Sequence, residues 1–195
     1  MKNFLVTFTF LLMSLITNCQ NNHFGTKKMT FDELEIAMSV IKPNALNFSV
    51  DSFNLHFEKK LNDYRTSKNC EKVKYDKTIV KVAMEQSDYC IKLGSLTHRQ
   101  TILSKEWAKD RCKFHGIDCW NVNENLLMGH LINSPLLVFS EGKNYYDCLA
   151  EVVISAWQTS PGHNSTLLEY GEIFAVGISR NKENEMVACL VLVSL

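Results

Sequence analysis

The spacing of apolar residues predicts several helices in the first two thirds of the chain. Over residues 50–67, Phe53, Phe57, Leu61 and Tyr64 recur at spacings of four, four and three, which is one face of a helix. Glycine and proline mark the predicted helix ends. The predicted helices run from Phe31 to a stop at Pro43, over 50–67, over 77–93 up to Gly94, and over 144–158 up to Ser160-Pro161-Gly162.

The last part of the chain has the pattern of strands. Apolar runs over 174–179 and 186–193 are separated by the polar residues 180–185, which predicts a hairpin. Residues 126–131 fit a strand or a helical turn, and 95–123 are irregular. A long irregular stretch inside a domain is usually functional or cross-linked. Helices early and strands late predict an α+β sandwich.

The N-terminal segment is typical of a signal peptide. Lys2 precedes an almost uninterrupted apolar run from Phe4 to Ile16, which is too short to span a bilayer. No later run is long and apolar enough, so we predict no transmembrane span. The predicted organisation is a signal peptide at 1–18, a tether with a short helix at 19–48, and one domain at 49–195.

Two fates are open for the end of the signal peptide. Leu15-Ile16-Thr17-Asn18-Cys19 loosely resembles the lipobox of a bacterial lipoprotein, in which the cysteine becomes a lipid anchor. Plain cleavage nearby would instead release the protein. We therefore expect a protein that is secreted or anchored to the cell surface, with Cys19 lipidated or removed and never in a disulfide of the domain.

Charge and cysteine content limit the classes of protein to which this chain can belong. The chain has 21 basic and 21 acidic residues, which argues against nucleic-acid binding because that needs a basic surface. Six cysteines follow Cys19, and no two form a Cys-x-x-Cys pair. In an oxidising compartment they predict up to three disulfides, with buried free thiols as the alternative. The six are Cys70, Cys90, Cys112, Cys119, Cys148 and Cys189.

Catalytic motifs with a fixed local spacing are missing from the sequence. It has no Gly-x-Ser-x-Gly elbow, His-Glu-x-x-His helix, phosphate loop or Gly-x-Gly-x-x-Gly turn, each of which depends on that spacing. The remaining candidates for chemistry are His98, Glu124 and His163. Each lies beside a predicted break or loop, where functional side chains concentrate, although an ordinary structural histidine is an alternative for either imidazole.

Five segments, in order, make the chain resemble the CAP family, which comprises cysteine-rich secretory proteins, antigen 5 and pathogenesis-related-1 proteins and is also called SCP-like. The resemblance covers about 54–193, and the Ser-Pro-Gly-His form is similar to the bacterial branch. The segments are Leu61-Asn62-Asp63-Tyr64-Arg65 with Val73 to Asp76, Ala83-x-x-Gln86-Ser87, Leu96-Thr97-His98 with Glu124-Asn125-Leu126, Trp157 to Asn164, and Val176-Gly177-Ile178 with the final apolar run.

The resemblance implies an α-β-α sandwich with a central antiparallel sheet and a cleft lined by histidines and acids. Carried over by position, the histidines are His98 and His163 and the acid is Glu124. A second glutamate of many members falls at Ser160 here, and Glu151 does not match the motif. Tyr64 and Asn62 are expected to anchor the first helix of the family fold, Arg65 to satisfy helix-terminal carbonyls, and Trp157 to lie in the core.

Three functions remain open after this comparison. The first is a binding module whose cleft takes zinc or another divalent cation through His98 and His163, or takes a lipid, a sterol or a protein partner. The second is a metal-assisted hydrolase or peptidase using His98, Glu124 and His163, against which stand the missing glutamate and the lack of a recognised nucleophile. The third is a structural envelope protein in which Glu124 only fixes a histidine tautomer.

Overall fold

Helices predominate in the part of the chain that the structure describes, and its last two elements are strands. The computed structural model describes residues 29–140 and 142–195, so the predicted signal peptide and Cys19 lie outside the described residues. The helices are α1 (Phe31–Leu46), α2 (Val50–Ser67), α3 (Val80–Leu93), α4 (Ala108–Phe114), α5 (Asn133–Leu136), α6 (Tyr145–Gln158) and α7 (Pro161–Leu168). The strands are β1 (Lys74–Tyr75), β2 (Asn121–His130), β3 (Ile173–Arg180) and β4 (Glu185–Ser194).

One sheet of four strands, in the order β1-β3-β4-β2, occupies the middle of the domain. β3 and β4 form the predicted antiparallel hairpin, and β4 also pairs antiparallel with β2 along the whole of β2, from Asn121 opposite Ser194 to His130 opposite Glu185. The short β1 lies parallel to β3. The sheet is therefore mixed, whereas the prediction was an antiparallel sheet. β2 is an edge strand.

Helices cover both faces of the sheet, which confirms the predicted α-β-α sandwich. Side chains alternate along β4, as in any strand: Leu190 and Leu192 pack with α1, α2 and α6, whereas Cys189 and Val191 pack with α3. Every residue of β4 from Met186 to Ser194 is buried. Trp157 of α6 is fully buried and donates to the Leu126 carbonyl of β2 at 3.1 Å, as expected for a core residue.

α3 lies directly on the sheet at Gly177 of β3. A Cβ atom at Gly177 would lie 2.4 Å from the Ala83 carbonyl carbon and 2.4 Å from the Met84 nitrogen. Both atoms belong to the backbone of α3, which cannot move aside as a flexible side chain can. Glycine at this position therefore sets the distance between α3 and the sheet.

The predicted helix stop at Pro43 is wrong, because α1 continues to Leu46 with Pro43 inside it. Proline removes one backbone donor, but the Asn47 amide still donates to the Pro43 carbonyl at 3.0 Å. Ile41 and Ala45, on either side of Pro43, are fully buried in the core. Burial of this face offsets the lost hydrogen bond, and α1 is part of the domain core and not only of a tether.

Two elements missed by the pattern analysis lie next to predicted irregular segments. α4 forms within 95–123, and α7 begins at Pro161, immediately after the predicted break. Proline is well suited to the first turn of a helix, where its missing amide hydrogen is not needed. β1 and α5 were also not predicted. α2, α3, α6, β3 and β4 confirm the predicted helices and strands, and residues 126–131 belong mostly to strand β2.

The six cysteines of the domain are free thiols in the structure. Cys148 is buried in the core on the α1, α2 and α6 side, whereas Cys90, Cys112 and Cys189 are buried on the α3 side. Since the sheet separates these layers, none of these three thiols is a partner for Cys148. Cys119 packs against the same buried cluster as Cys112, and a disulfide between them stays a prediction.

Among residues 29–140 and 142–195, we find no helix with the length and hydrophobicity needed to cross a membrane.

Candidate functional site

Glu124, on edge strand β2, is the centre of the candidate site. Its side chain is only 5% exposed. Oε1 lies 2.9 Å from Nδ1 of His98, and Oε2 accepts a hydrogen bond from Nη2 of Arg111 and one from the Cys189 thiol at 3.5 Å. Burial, followed by the nearby Glu124 carboxylate, raises the pKa of Cys189. Cys189 therefore remains a protonated donor, and both carboxylate oxygens are occupied.

Arg111 of α4 was not predicted from the sequence. It is fully buried, and besides binding Glu124 it donates from Nη1 to the backbone carbonyls of Lys105 at 3.2 Å and Glu106 at 3.4 Å. A longer contact of 3.5 Å reaches the His98 carbonyl. One guanidinium thus fixes both the carboxylate and the connection that carries His98, as its several donors allow.

The connection from α3 to α4 holds His98 near the surface, with its side chain 49% exposed. Gln86 of α3 donates to the carbonyl of Thr97, next to His98, and Cys90 donates to the same carbonyl at 3.3 Å. Gln86 also accepts from the Gln100 side chain at 2.9 Å. Gln86 belongs to the segments that carry the family resemblance, and its role is to position the histidine-bearing loop.

His163 comes from α7, which residues on β2 and α2 hold in place. Asn125, next to Glu124, donates to the His163 carbonyl at 2.8 Å. Tyr64 of α2 donates to the Asn164 side chain at 2.7 Å. Arg65 donates to the carbonyls of Leu167 at 2.7 Å and Glu169 at 2.9 Å, which confirms that it satisfies helix-terminal carbonyls, here those of α7.

The other predicted anchor, Asn62, holds β1 rather than α7. Its side chain donates to the Val73 carbonyl at 2.8 Å and accepts from the Val73 amide at 2.9 Å. Asn62 thus attaches α2 to the segment that leads into β1, and Tyr64 attaches α2 to α7.

The two histidines are held from different faces of the edge strand β2. Glu124 pairs with Val191, on the α3 face, and Asn125 pairs with Leu190, on the opposite face. His98 is thus held from one face of β2 and His163 from the other. Burial, and then the charge of His98, lowers the pKa of His163, which favours a neutral His163.

The site includes fewer acidic groups than a full cluster of two histidines and two glutamates. Ser160, at the position of the second glutamate, is the residue before α7. Glu151 of α6 forms ion pairs elsewhere, with Lys60 at 3.2 Å and Lys143 at 3.1 Å. In the part of the chain that the structure describes, no three His, Cys, Asp or Glu side chains are grouped to hold a metal ion. A metal ion here would have two imidazole ligands from the protein.

A family model of the CAP domain, described as the cysteine-rich secretory protein family, matches residues 59–192. A sequence comparison with curated proteins gives no match.

Solved bacterial structures share the fold. An extracellular protein with an SCP domain from Bacillus anthracis superposes with a TM-score of 0.55 at 14% identity, covering 74% of this chain and 41% of that one. An outer surface protein from Borrelia burgdorferi superposes with a TM-score of 0.54 at 17% identity, covering 70% of this chain and 88% of that one. The chain therefore spans about two fifths of the Bacillus protein. With the family match over most of its described residues, the chain belongs to the CAP, or cysteine-rich secretory protein, family.

Proposed function

We propose that this protein is an exported CAP-type binding module whose His98–His163 pair binds a divalent cation such as zinc. The observation that carries the proposal is the contact of 2.9 Å between His98 Nδ1 and Glu124 Oε1. A carboxylate on one ring nitrogen fixes the tautomer and leaves the other nitrogen, Nε2, for a ligand, as in many metal sites.

The chemistry of the donor set fits a borderline-soft cation. Neutral imidazole suits zinc, copper and nickel, and the lowered pKa of His163 favours its neutral form. With two protein ligands, the remaining coordination positions would be filled by water or by a polar group of a partner molecule. Such an ion would supply a Lewis-acidic attachment point for that partner, while Glu124 and Arg111 keep His98 oriented.

The hydrolase alternative is disfavoured by the contacts of Glu124. A general base needs an oxygen within reach of the water it activates. Here one oxygen of Glu124 is bound by His98 and the other by Arg111 and Cys189. These contacts support a positioning role for Glu124. The same contacts also suit a purely structural site, which the zinc experiment below distinguishes from the binding module.

Export is part of the same proposal. The apolar run before Cys19 is typical of a signal peptide, and the two solved relatives are described as an extracellular protein and an outer surface protein. We propose secretion or lipid anchoring at Cys19 for this chain. A lipid, sterol or protein would then be bound outside the cell, with the ion at the two histidines as a contact point.

Zinc titration by calorimetry tests the cation site. We expect one zinc ion to bind, and binding to be lost in His98→Ala and in His163→Ala, because a single imidazole does not hold zinc against water. His56→Ala is the matched control. His56 lies on α2 and contacts Asp147 at 2.9 Å, so its loss should leave the zinc affinity unchanged.

Two results would contradict the proposal. Zinc binding that survives both substitutions would place the ion elsewhere. No binding by the wild-type protein would favour the structural alternative, in which His98→Ala and His163→Ala lower the thermal midpoint without changing any affinity.

The pH dependence of the unfolding free energy gives an independent test of the lowered pKa of His163. Its folded-state pKa is lowered, whereas the unfolded chain takes up the proton at about pH 6.5. The stability that neutral His163 contributes to the folded state is therefore fully present above about pH 6.5. It is lost as the pH falls towards the lower pKa of the folded state. We expect the loss of unfolding free energy between about pH 7.5 and about pH 5.5 to be smaller in His163→Gln, measured by urea unfolding without metal.

A further inference from the structure

α4 and the loop that follows it bring two thiols, Cys112 and Cys119, into one cluster of packed side chains. α4 ends at Phe114, and Gly116 has a φ of 74°. The Ile117 amide donates to the Cys112 carbonyl at 2.9 Å and the Gly116 amide to that of Lys113 at 3.0 Å. This pair of bonds is a Schellman motif, and it turns the chain back so that Cys119 packs against the buried cluster that contains Cys112.

Other contacts fix the position of Cys119 relative to α4. Lys109 of α4 donates from Nζ to the carbonyl of Trp120 at 2.9 Å. The Trp120 amide donates to the carbonyl of Ser194 at the end of β4 at 3.1 Å. Cys119 is therefore held between α4 and the start of β2, and not on a freely moving loop.

The two thiols differ in accessibility. Cys112 is fully buried, whereas half-buried Cys119 lines a cavity of about 560 Å³. Burial, and then Cys119 itself, raises the pKa of Cys112 to about 12, so Cys112 is protonated at neutral pH. The other residues of the cavity wall are Lys109, Asp110, Lys113, Gly116, Ile117 and Asp118.

We propose that Cys119 and Cys112 form a thiol–disulfide exchange site in which Cys119 reacts first with a small-molecule disulfide and Cys112 resolves the product. In the first step the Cys119 thiolate attacks one sulfur of the disulfide RSSR. The S–S bond breaks, one RS⁻ leaves with the electron pair and takes a proton, and a mixed disulfide forms on Cys119.

In the second step the Cys112 thiol gives up its proton to water and attacks the Cys119 sulfur. The mixed S–S bond breaks, and the second RS⁻ leaves and is protonated. The balance is two protein thiols oxidised to one disulfide and one RSSR reduced to two RSH. Thiolate attack and departure of the better leaving group follow the general rules of this exchange.

The remaining cysteines do not compete for the reagent. Cys90, Cys148 and Cys189 are fully buried, and Cys148 lies in the other core layer from Cys112. Cys70 is partly exposed and belongs to neither buried cluster, so it is not packed with the buried cysteines. A mixed disulfide formed on Cys70 would therefore have no thiol to resolve it.

The disulfide between Cys112 and Cys119 would connect α4 to the start of β2. Cys112 follows Arg111, and β2 carries Glu124, so the bond would join the two elements that form the buried ion pair of the cation site. A disulfide that closes such a short loop raises the thermal midpoint of a domain of this size by about 5–10 °C. The inference does not depend on whether the histidines bind an ion.

Incubation of the reduced full chain with glutathione disulfide, followed by acid quenching and mass spectrometry, tests the site. We expect a glutathione adduct on Cys119 first and then the loss of two thiols. Trypsin cleaves after Arg111 and Lys113, so the product would appear as the dipeptide Cys112-Lys113 linked to the peptide 114–143. The thermal midpoint should rise in step with that linked species.

Single substitutions separate the two roles. Cys112→Ser should keep one stable glutathione on Cys119, and Cys119→Ser should form no disulfide at Cys112. Cys148→Ser is the matched control and should react as the wild type does. A cross-link between other cysteines, an adduct on Cys119 that never resolves in the wild type, or Cys112 and Cys119 both left as thiols under excess glutathione disulfide would each overturn the proposal.

Discussion

Replacing Arg111 with methionine is expected to destabilise the domain more than the loss of any surface ion pair. Removing one partner of a buried ion pair costs about 3–5 kcal/mol, because the other charge remains buried without compensation. Here the stranded group is the Glu124 carboxylate, which is 5% exposed. The carbonyls of Lys105 and Glu106 lose their donor in the same substitution. Urea unfolding monitored by circular dichroism measures the change in unfolding free energy.

Arg99→Met is the matched control. Arg99 lies on the same connection as His98 and pairs with Glu106 at 2.6 Å, but its side chain is 65% exposed. Exposed pairs contribute about 0–1 kcal/mol, so this variant should stay close to the wild type. Adding Glu124→Gln to Arg111→Met should recover part of the loss, since no unpaired charge is then buried. Equal effects of Arg111→Met and Arg99→Met would contradict the role given to burial.

Gly177→Ala is the second substitution expected to have a large effect. The added Cβ would lie 2.4 Å from two backbone atoms of α3, so the helix must move away from the sheet by about an ångström. Overpacking of this kind typically costs about 1–3 kcal/mol and occasionally more, and we expect the upper end because no flexible side chain can yield. Since α3 also carries Gln86 and Cys90, zinc affinity should fall with stability.

Gly162→Ala provides the control for Gly177→Ala. Gly162 lies in α7, and a Cβ there would have no atom within 4 Å. Glycine in a helix costs up to about 1 kcal/mol relative to alanine, so this variant should be as stable as the wild type or slightly more stable. Thermal melts of both variants check the comparison. A Gly177→Ala protein with an unchanged midpoint would show that α3 adjusts without strain.

Sequence patterns predicted the elements whose burial is periodic. The helix at 50–67 and the hairpin strands were found because one face, or every position, is apolar. Pro43 was misjudged because a local rule was applied to a helix whose Ile41 and Ala45 are held by the core. The seven residues of α4 are too few to show a helical period, and so α4 was missed.

The site was only partly predictable for a similar reason. His98, Glu124 and His163 came from the family resemblance, and the structure brings His98 into contact with Glu124 and within electrostatic range of His163. Arg111 was missed because a lone arginine between polar residues has the pattern of a surface position. The only sequence signal was Asp110, which accepts from the Trp107 amide at 3.0 Å and indicates a helix start. Burial of Arg111 depends on its packing against the connection that carries His98 and against Glu124 of β2, which no local pattern shows.

The position of β4 in the sheet has a consequence for how the protein reaches its native state. β4 lies between β2 and β3, yet it follows every other strand in the chain. β2 therefore has no partner until β4 is available, and the pairing of Asn121 with Ser194 closes a long loop, which slows folding. Until then the segment 186–193, apolar at each position and without charge or proline, is an aggregation-prone stretch. Refolding yield should consequently fall steeply with protein concentration.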